Sequence, residues 1–241
     1  MKKKMIWFLV VTIAFVGVGF GVKRYIEGPP QSVNGILVSG TKENIDAVKK
    51  LYKSETKQTA DYQYKVVKVE ERQADPNKGQ PFYVVISKST AKKFIEKGIM
   101  RKRQDPDSGM IVSDPLSELK ELSSSDNLLF KRIATDQNIK LNDLEVSVKH
   151  IKHQAWIGYS PENVIILGDD LYNKVQAKEM DMSLVQFSKE KFDYKNKEDV
   201  KNLLKDIAKV YKNGYVYGVD SFKDSPDKDG LDMIDFVDVP K

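Results

Sequence analysis

The sequence predicts an N-terminal transmembrane helix followed by an extracytoplasmic domain of mixed α+β class, its sheet built from strand–turn–helix units. Three observations lead there. An unbroken apolar run, Met5–Val22, is bracketed by Lys2, Lys3 and Lys4 on one side and by Lys23 and Arg24 on the other. One grammar then recurs three times: a short apolar strand, a small polar turn, an amphipathic helix. Alternating strands lie between these units, and strands interleaved with helices define an α/β or α+β class.

The first element is the apolar run. It holds 18 residues with Thr12 as the only polar side chain, and as a helix it covers roughly 27 Å, the span of a hydrocarbon core. A secretory apolar region is shorter, about 7–15 residues, and ends at a small-x-small cleavage site. Gly19-Phe20-Gly21 is a poor one. Residues 1–28 therefore read as an uncleaved anchor, with a cleaved signal as the alternative. The three N-terminal lysines place the N-terminus inside and residues 29–241 outside the cell membrane. Gly28-Pro29-Pro30 makes a stiff, non-helical exit.

The first repeat is Gly35–Ser39 followed by Lys42–Tyr52, the second Phe82–Ile86 followed by Thr90–Lys97, and the third Val164–Leu167 followed by Leu171–Lys178. Each strand is short, continuous and rich in Val, Ile and Leu, as buried strands are. Each turn offers Ser, Thr or Asp as a helix cap. Residues 62–69, 144–148 and 184–192 read as further strands. The stripe Val200, Leu203, Leu204, Ile207 and Val210 marks a helix over 197–211, and 215–219 and 234–239 close the chain as strands. Polar turn-rich stretches allow a division into two lobes, 31–112 and 140–241, joined by a helical segment 114–138.

Composition excludes several classes of function. The formal net charge is +5, but residues 1–28 hold five Lys/Arg and one Glu, which leaves about +1 for the remaining 213. A nucleic-acid binder needs a concentrated basic footprint. Arg101-Lys102-Arg103 is short, is followed by Asp105 and Asp107, and reads as a solvated turn. There is no cysteine, so disulfides, thiol nucleophiles, cysteine zinc sites and a lipobox attachment are all excluded. An exported chain of this kind is at home in Gram-positive bacteria.

Four constellations carry candidate chemistry. His150 and His153 are the only histidines; three apart on a strand they face opposite ways and do not share an ion. Asp227-Lys228-Asp229-Gly230 has the core of a calcium loop, but with Gly230 as the invariant glycine the twelfth position is Phe236 instead of glutamate. Asp227, Asp229 and Asp232 remain as ligands of a weaker, non-EF calcium site, against an acidic turn before an edge strand. Ser89-Thr90-Ala91-Lys92, Ser125-Asp126-Asn127 and Lys212-Asn213-Gly214 follow the order S-x-x-K, S-D-N, K-T-G of penicillin-recognising serine enzymes. In that chemistry Ser89 would be the nucleophile and Lys92 its base. Ser39-Gly40-Thr41-Lys42 repeats the S-x-x-K form, which shows how cheaply it arises. Trp156 and Tyr159 concentrate aromatic surface in a loop, as a partner anchor or as core.

The segments Val85–Lys93 and Val164–Tyr172 resemble strand–turn–helix pieces of the extracytoplasmic domains of FtsX/MacB-type ABC transporter permeases. The layout of an anchor followed by an exposed α+β domain is similar too. Those permeases continue into further membrane helices, and here none follows. The chain also resembles small, uncharacterised lipoprotein-like, membrane-attached proteins of Bacillus-type bacteria, from which it departs in lacking their lipobox cysteine. The resemblances imply a non-enzymatic, membrane-anchored interaction domain, accessory to a transporter or envelope-stress system, with an envelope or transporter protein as partner. No cofactor and no nucleic-acid partner is expected. An exported ligand- or calcium-binding module and a serine acyl-transferase are the alternatives.

Overall fold

The structure is a computed structural model that describes residues 32–68, 82–104, 113–131, 138–151, 155–158, 163–194, 196–211 and 234–240. The apolar run Met5–Val22 lies outside them. Among the described residues no helix is long and apolar enough to cross a membrane.

In chain order the elements are β1 (Ser32–Val33), β2 (Gly35–Gly40), α1 (Lys42–Leu51), β3 (Thr56–Lys68), β4 (Phe82–Ser87) and α2 (Lys88–Glu96). Then come β5 (Met100–Arg103), β6 (Ser113–Pro115), a 3-10 turn (Lys120–Ser123), β7 (Leu128–Phe130), β8 (Asn138–Leu141) and β9 (Leu144–Ser147). β10 (Lys149–Ile151), β11 (Ala155–Ile157), β12 (Asn163–Leu167), α3 (Asp169–Lys174) and β13 (Glu179–Phe187) follow, and β14 (Phe192–Asp193), α4 (Lys197–Ala208) and β15 (Ile234–Val237) end the series. The three strand–turn–helix units are thus β2–α1, β4–α2 and β12–α3.

An eight-stranded mixed sheet, ordered β10-β7-β12-β4-β3-β13-β2-β15, is the frame. β4 and β12 run parallel, from Asn163 beside Tyr83 to Leu167 beside Ser87. Strands of both halves of the chain interleave here, so no lobe boundary falls between them. The expected helical link 114–138 is also corrected: β6, the 3-10 turn and β7 occupy it. Leu128, Leu129 and Phe130 are all fully buried, a continuous apolar run that suits a central strand better than an amphipathic helix.

Helix ends follow local chemistry. Thr41 Oγ1 accepts from Asn44 N at 3.3 Å, Ser87 Oγ from Thr90 N at 3.1 Å and Asn196 Oδ1 from Glu198 N at 3.0 Å, each a side-chain N-cap. Helix α2 ends in a Schellman motif: Gly98, at φ +68°, donates to Ile95 O, and Ile99 N reaches back to Phe94 O at 2.8 Å.

Alternating residues serve the two faces of the sheet. On one face Val84, Ile86, Val164 and Ile166 pack with Ala91 and Phe94 of α2. On the other, Tyr83, Val85, Ile165 and Leu167 pack with Tyr172 and Val175 beside α3 and with the β8–β9 hairpin. Farther along that second face, Ile36, Val38, Val185 and Phe187 meet α1 and α4. A separate three-stranded sheet, β11-β5-β6, flanks the first core.

Two surface expectations are corrected by this packing. Arg101 and Arg103 are buried in β5; Arg101 Nε donates to Ser113 Oγ at 2.9 Å and its Nη2 to Ser113 O at 2.6 Å. Pairing on both sides of β5 turns the basic triplet into a strand instead of a solvated turn. Trp156, opposite Arg101 in β11, is wholly inside the first core and offers no surface to a partner.

Candidate functional site

The parallel neighbours β4 and β12 send their helices to opposite faces, α2 to one and α3 to the other. This makes the C-terminal ends of the two strands a topological switch point, the place where open α/β sheets hold their ligands. Two helix N-termini and the start of β7 converge there.

Ser87, the last residue of β4, caps α2; its Oγ also donates to Thr90 Oγ1 at 3.1 Å and shares a 2.9 Å hydrogen bond with Ser89 Oγ. Asp169 reaches over from α3, and its Oδ1 accepts from Ser89 N at 3.1 Å. That N–H is the main cause holding the Asp169 carboxyl below the usual carboxylate range. Burial pulls the other way, and the hydroxyls of Ser89 and Ser87 and the charge of Lys92 help to lower it. The positive end of α2 is thus already answered by a carboxylate of the chain itself.

The third side comes from the segment before β7. Asn127 Oδ1 accepts from Gly168 N at 3.1 Å, and its Nδ2 donates to Ser147 O at 3.0 Å. Lys88 Nζ donates to Ser124 O, and Asp126 pairs with Lys149 at 3.6 Å. Ser89, Lys92, Asp169 and Asp170 stand exposed on the rim. The arrangement joins Lys92, the carboxylates of Asp169 and Asp170 and the hydroxyls of Ser87, Ser89 and Thr90 on rigid element ends, a polar recognition surface of mixed charge.

The sequence motifs meet here only in part. The S-x-x-K and S-D-N segments come near each other through flanking residues: Lys88, just before the first, bonds to Ser124, just before the second. Ser89, however, bonds to Ser87, while Lys92 lies toward Asp169, so the lysine is not hydrogen-bonded to the serine it would activate. Lys212-Asn213-Gly214 lies outside the described residues, as do Asp227, Asp229, Asp232, Tyr159 and His153. His150 sits in β10 with its Nε2 2.8 Å from Lys131 O. Among the described residues no three His, Asp or Glu are grouped to hold a metal ion. Asp169 was legible in sequence only as a residue of a capping turn. Nothing local shows that it serves a helix 80 residues earlier.

The model of an uncharacterised lipoprotein family matches residues 33–216, about three quarters of the chain. No curated protein matches it in sequence. The chain is similar in fold to a crystal structure from Bacillus anthracis, of a protein classed there as a lipoprotein. The TM-score is 0.51 at 16% identity, over 70% of this chain and 92% of that one. The lipoprotein-like part of the sequence resemblance is upheld by these matches; the permease part gains no support from them.

Proposed function

The chain belongs to the uncharacterised lipoprotein family, and from that premise we propose that it is a non-catalytic, membrane-attached accessory domain acting outside the cytoplasm, with the β4–β12 switch point as its working face. The observation that carries this reading is the switch point itself: opposed helices leave a polar, mixed-charge surface at the C-terminal ends of two rigid parallel strands, where ligands bind in related architectures. Membrane attachment accords with the family, and the apolar run Met5–Val22 is the attachment we favour, since no cysteine is present to carry a lipid. Service to a transporter or an envelope-stress system is the role we assign to the exposed domain.

The test is in-cell cross-linking of the tagged full-length chain followed by mass spectrometry of the captured proteins. Repeated capture of one envelope or transporter protein is the expected result. Capture of none overturns the accessory role.

A second reading, serine acyl transfer by Ser89 and Lys92, draws on the adjacency of the S-x-x-K and S-D-N segments. Against it stands the geometry: the Ser89 hydroxyl meets Ser87 and Asp169 and makes no hydrogen bond to Lys92. Labelling by a fluorescent penicillin that disappears in Ser89→Ala would establish that reading; the accessory role expects no label.

A further inference from the structure

Farther along β3, beyond the level of the switch point, one cation lies among three aromatic rings. Lys191, in the loop between β13 and β14, places Nζ 4.5 Å from the ring centroid of Tyr52, 5.0 Å from Phe187 and 5.3 Å from Phe192. The rings stand edge to face: Tyr52 and Phe187 are 5.4 Å apart at 87°, and Phe187 and Phe192 are 5.4 Å apart at 76°. Glu55 closes the fourth side with an ion pair to the same ammonium. Three ring faces and a carboxylate around one point form an aromatic cage, the arrangement that takes quaternary and methylated ammonium groups.

The walls are fixed independently of the lysine side chain. Tyr52 ends α1, and its carbonyl accepts from Thr56 Oγ1 at 2.8 Å. Phe187 ends β13, its N–H bonded to Asn34 O at 2.7 Å, while Glu55 O accepts from Ser188 N at 3.0 Å. Phe192 lies in β14, paired with Val33. The backbone of Lys191 is held as well, its N–H on Val33 O at 3.0 Å. Its side chain can therefore swing out while all four walls stay in place. It retains 23% exposure and Glu55 retains 50%, so the mouth of the cage opens to solvent. Burial, and after it the negative charges of Asp206 and Glu55, push the Tyr52 phenol up; the two carboxylates are what a cation would meet there.

We propose that Tyr52, Phe187, Phe192 and Glu55 form a binding site for a quaternary ammonium group, and that Lys191 is its built-in plug. A lysine ammonium is compact and strongly hydrated, whereas a methylated ammonium gives up little hydration on entering such a cage and fills it with methyl groups. The incoming cation displaces Lys191 into water and takes over its contacts with the rings and with Glu55. Along β3, Thr56 beside the cage and Gln63 level with the switch point are seven residues apart, roughly 23 Å. The two sites are therefore separable by experiment.

The test is calorimetric titration of the full chain, held in maltoside micelles, with tetramethylammonium chloride and with potassium chloride as control. Lys191→Ala is expected to bind tetramethylammonium at least tenfold more tightly than the wild type, and Lys191→Ala/Phe192→Leu to lose that gain. Lys191→Gln keeps the stem and removes the charge; it is expected to show an intermediate gain and stands in should the alanine variant fail to fold. Equal binding by the wild type and a folded Lys191 variant overturns the proposal. A gain that survives Phe192→Leu overturns it too. Choline chloride and phosphatidylcholine vesicles identify the source: a gain with the first points to a free solute, a gain with vesicles alone to a lipid headgroup.

Discussion

Asp169 and Ser89 lie 80 residues apart in sequence, yet the carboxylate of the first accepts from the backbone N–H of the second at 3.1 Å. This bond ties the first turn of α3 to the first turn of α2 across the switch point. Because the Ser89 N–H chiefly lowers the folded-state pKa of Asp169, its stabilising contribution is present above the unfolded value of about 3.9. It is lost as pH falls through the lower folded value. Asp169→Asn should cost about 0.5–1 kcal/mol at neutral pH, a small figure because the group is exposed. Urea midpoints of wild type and variant should differ at pH 7 and converge below pH 4.

Lys65 is buried on β3, and its Nζ donates to Tyr172 O at 3.0 Å and to Val175 O at 2.9 Å. It also lies 4.7 Å from the centroid of the Tyr172 ring. The side chain closes the C-terminal end of α3, adding a charged second donor to two carbonyls that also accept from Val175 N and Ala177 N. Lys65→Met keeps the stem and strips the donors, and should lower stability by about 1–3 kcal/mol in chemical denaturation.

Trp156 is fully buried, and its Nε1 is without a hydrogen-bond partner among the described residues. As a core residue it should cost about 3–5 kcal/mol on truncation to alanine. Trp156→Phe removes the unpartnered N–H together with the second ring and should cost less. A partner anchor would show the reverse pattern, with stability unchanged and capture lost. Thermal unfolding of both variants separates the two roles.

Gly158 has φ +64°, and a Cβ built there would lie 2.2 Å from Asp235 Oδ2. Gly158→Ala thus combines a left-handed backbone with a collision against a buried carboxylate, and the Asp235 side chain has to move. A loss of about 1–3 kcal/mol is expected, read as a drop in melting temperature. Replacing Asp235 with glycine in the same chain should relieve part of it.

The strand–turn–helix units were legible because their signals are local. Thr41 and Ser87 cap the helices they precede, and the apolar stripes of α1 and α4 follow the helical period. Pairing was not legible. That β4 lies beside β12 and β13 beside β3 depends on residues about 80 to 130 positions apart, and no local pattern encodes it. The switch point follows from that pairing, so Ser89 and Asn127 could be noticed as motif residues while their shared neighbour Asp169 could not. The segment 114–138 misled because Leu116, Leu119 and Leu122 recur at helical spacing, yet they enter the first core from an irregular stretch and a 3-10 turn. Lys191 went unnoticed because its three rings come from α1's end, β13 and β14, which meet only in the fold.

The central claim is that the switch point is the working face. Site-specific photo-cross-linking in cells tests it most directly. A photoreactive residue is placed at Ser89 or Asp170 on the rim of the switch point, and in a separate chain at Lys205, exposed on α4. The account predicts adducts to one and the same envelope protein from Ser89 and Asp170, and none from Lys205. Adducts from Lys205 alone, or from all three positions alike, would contradict it.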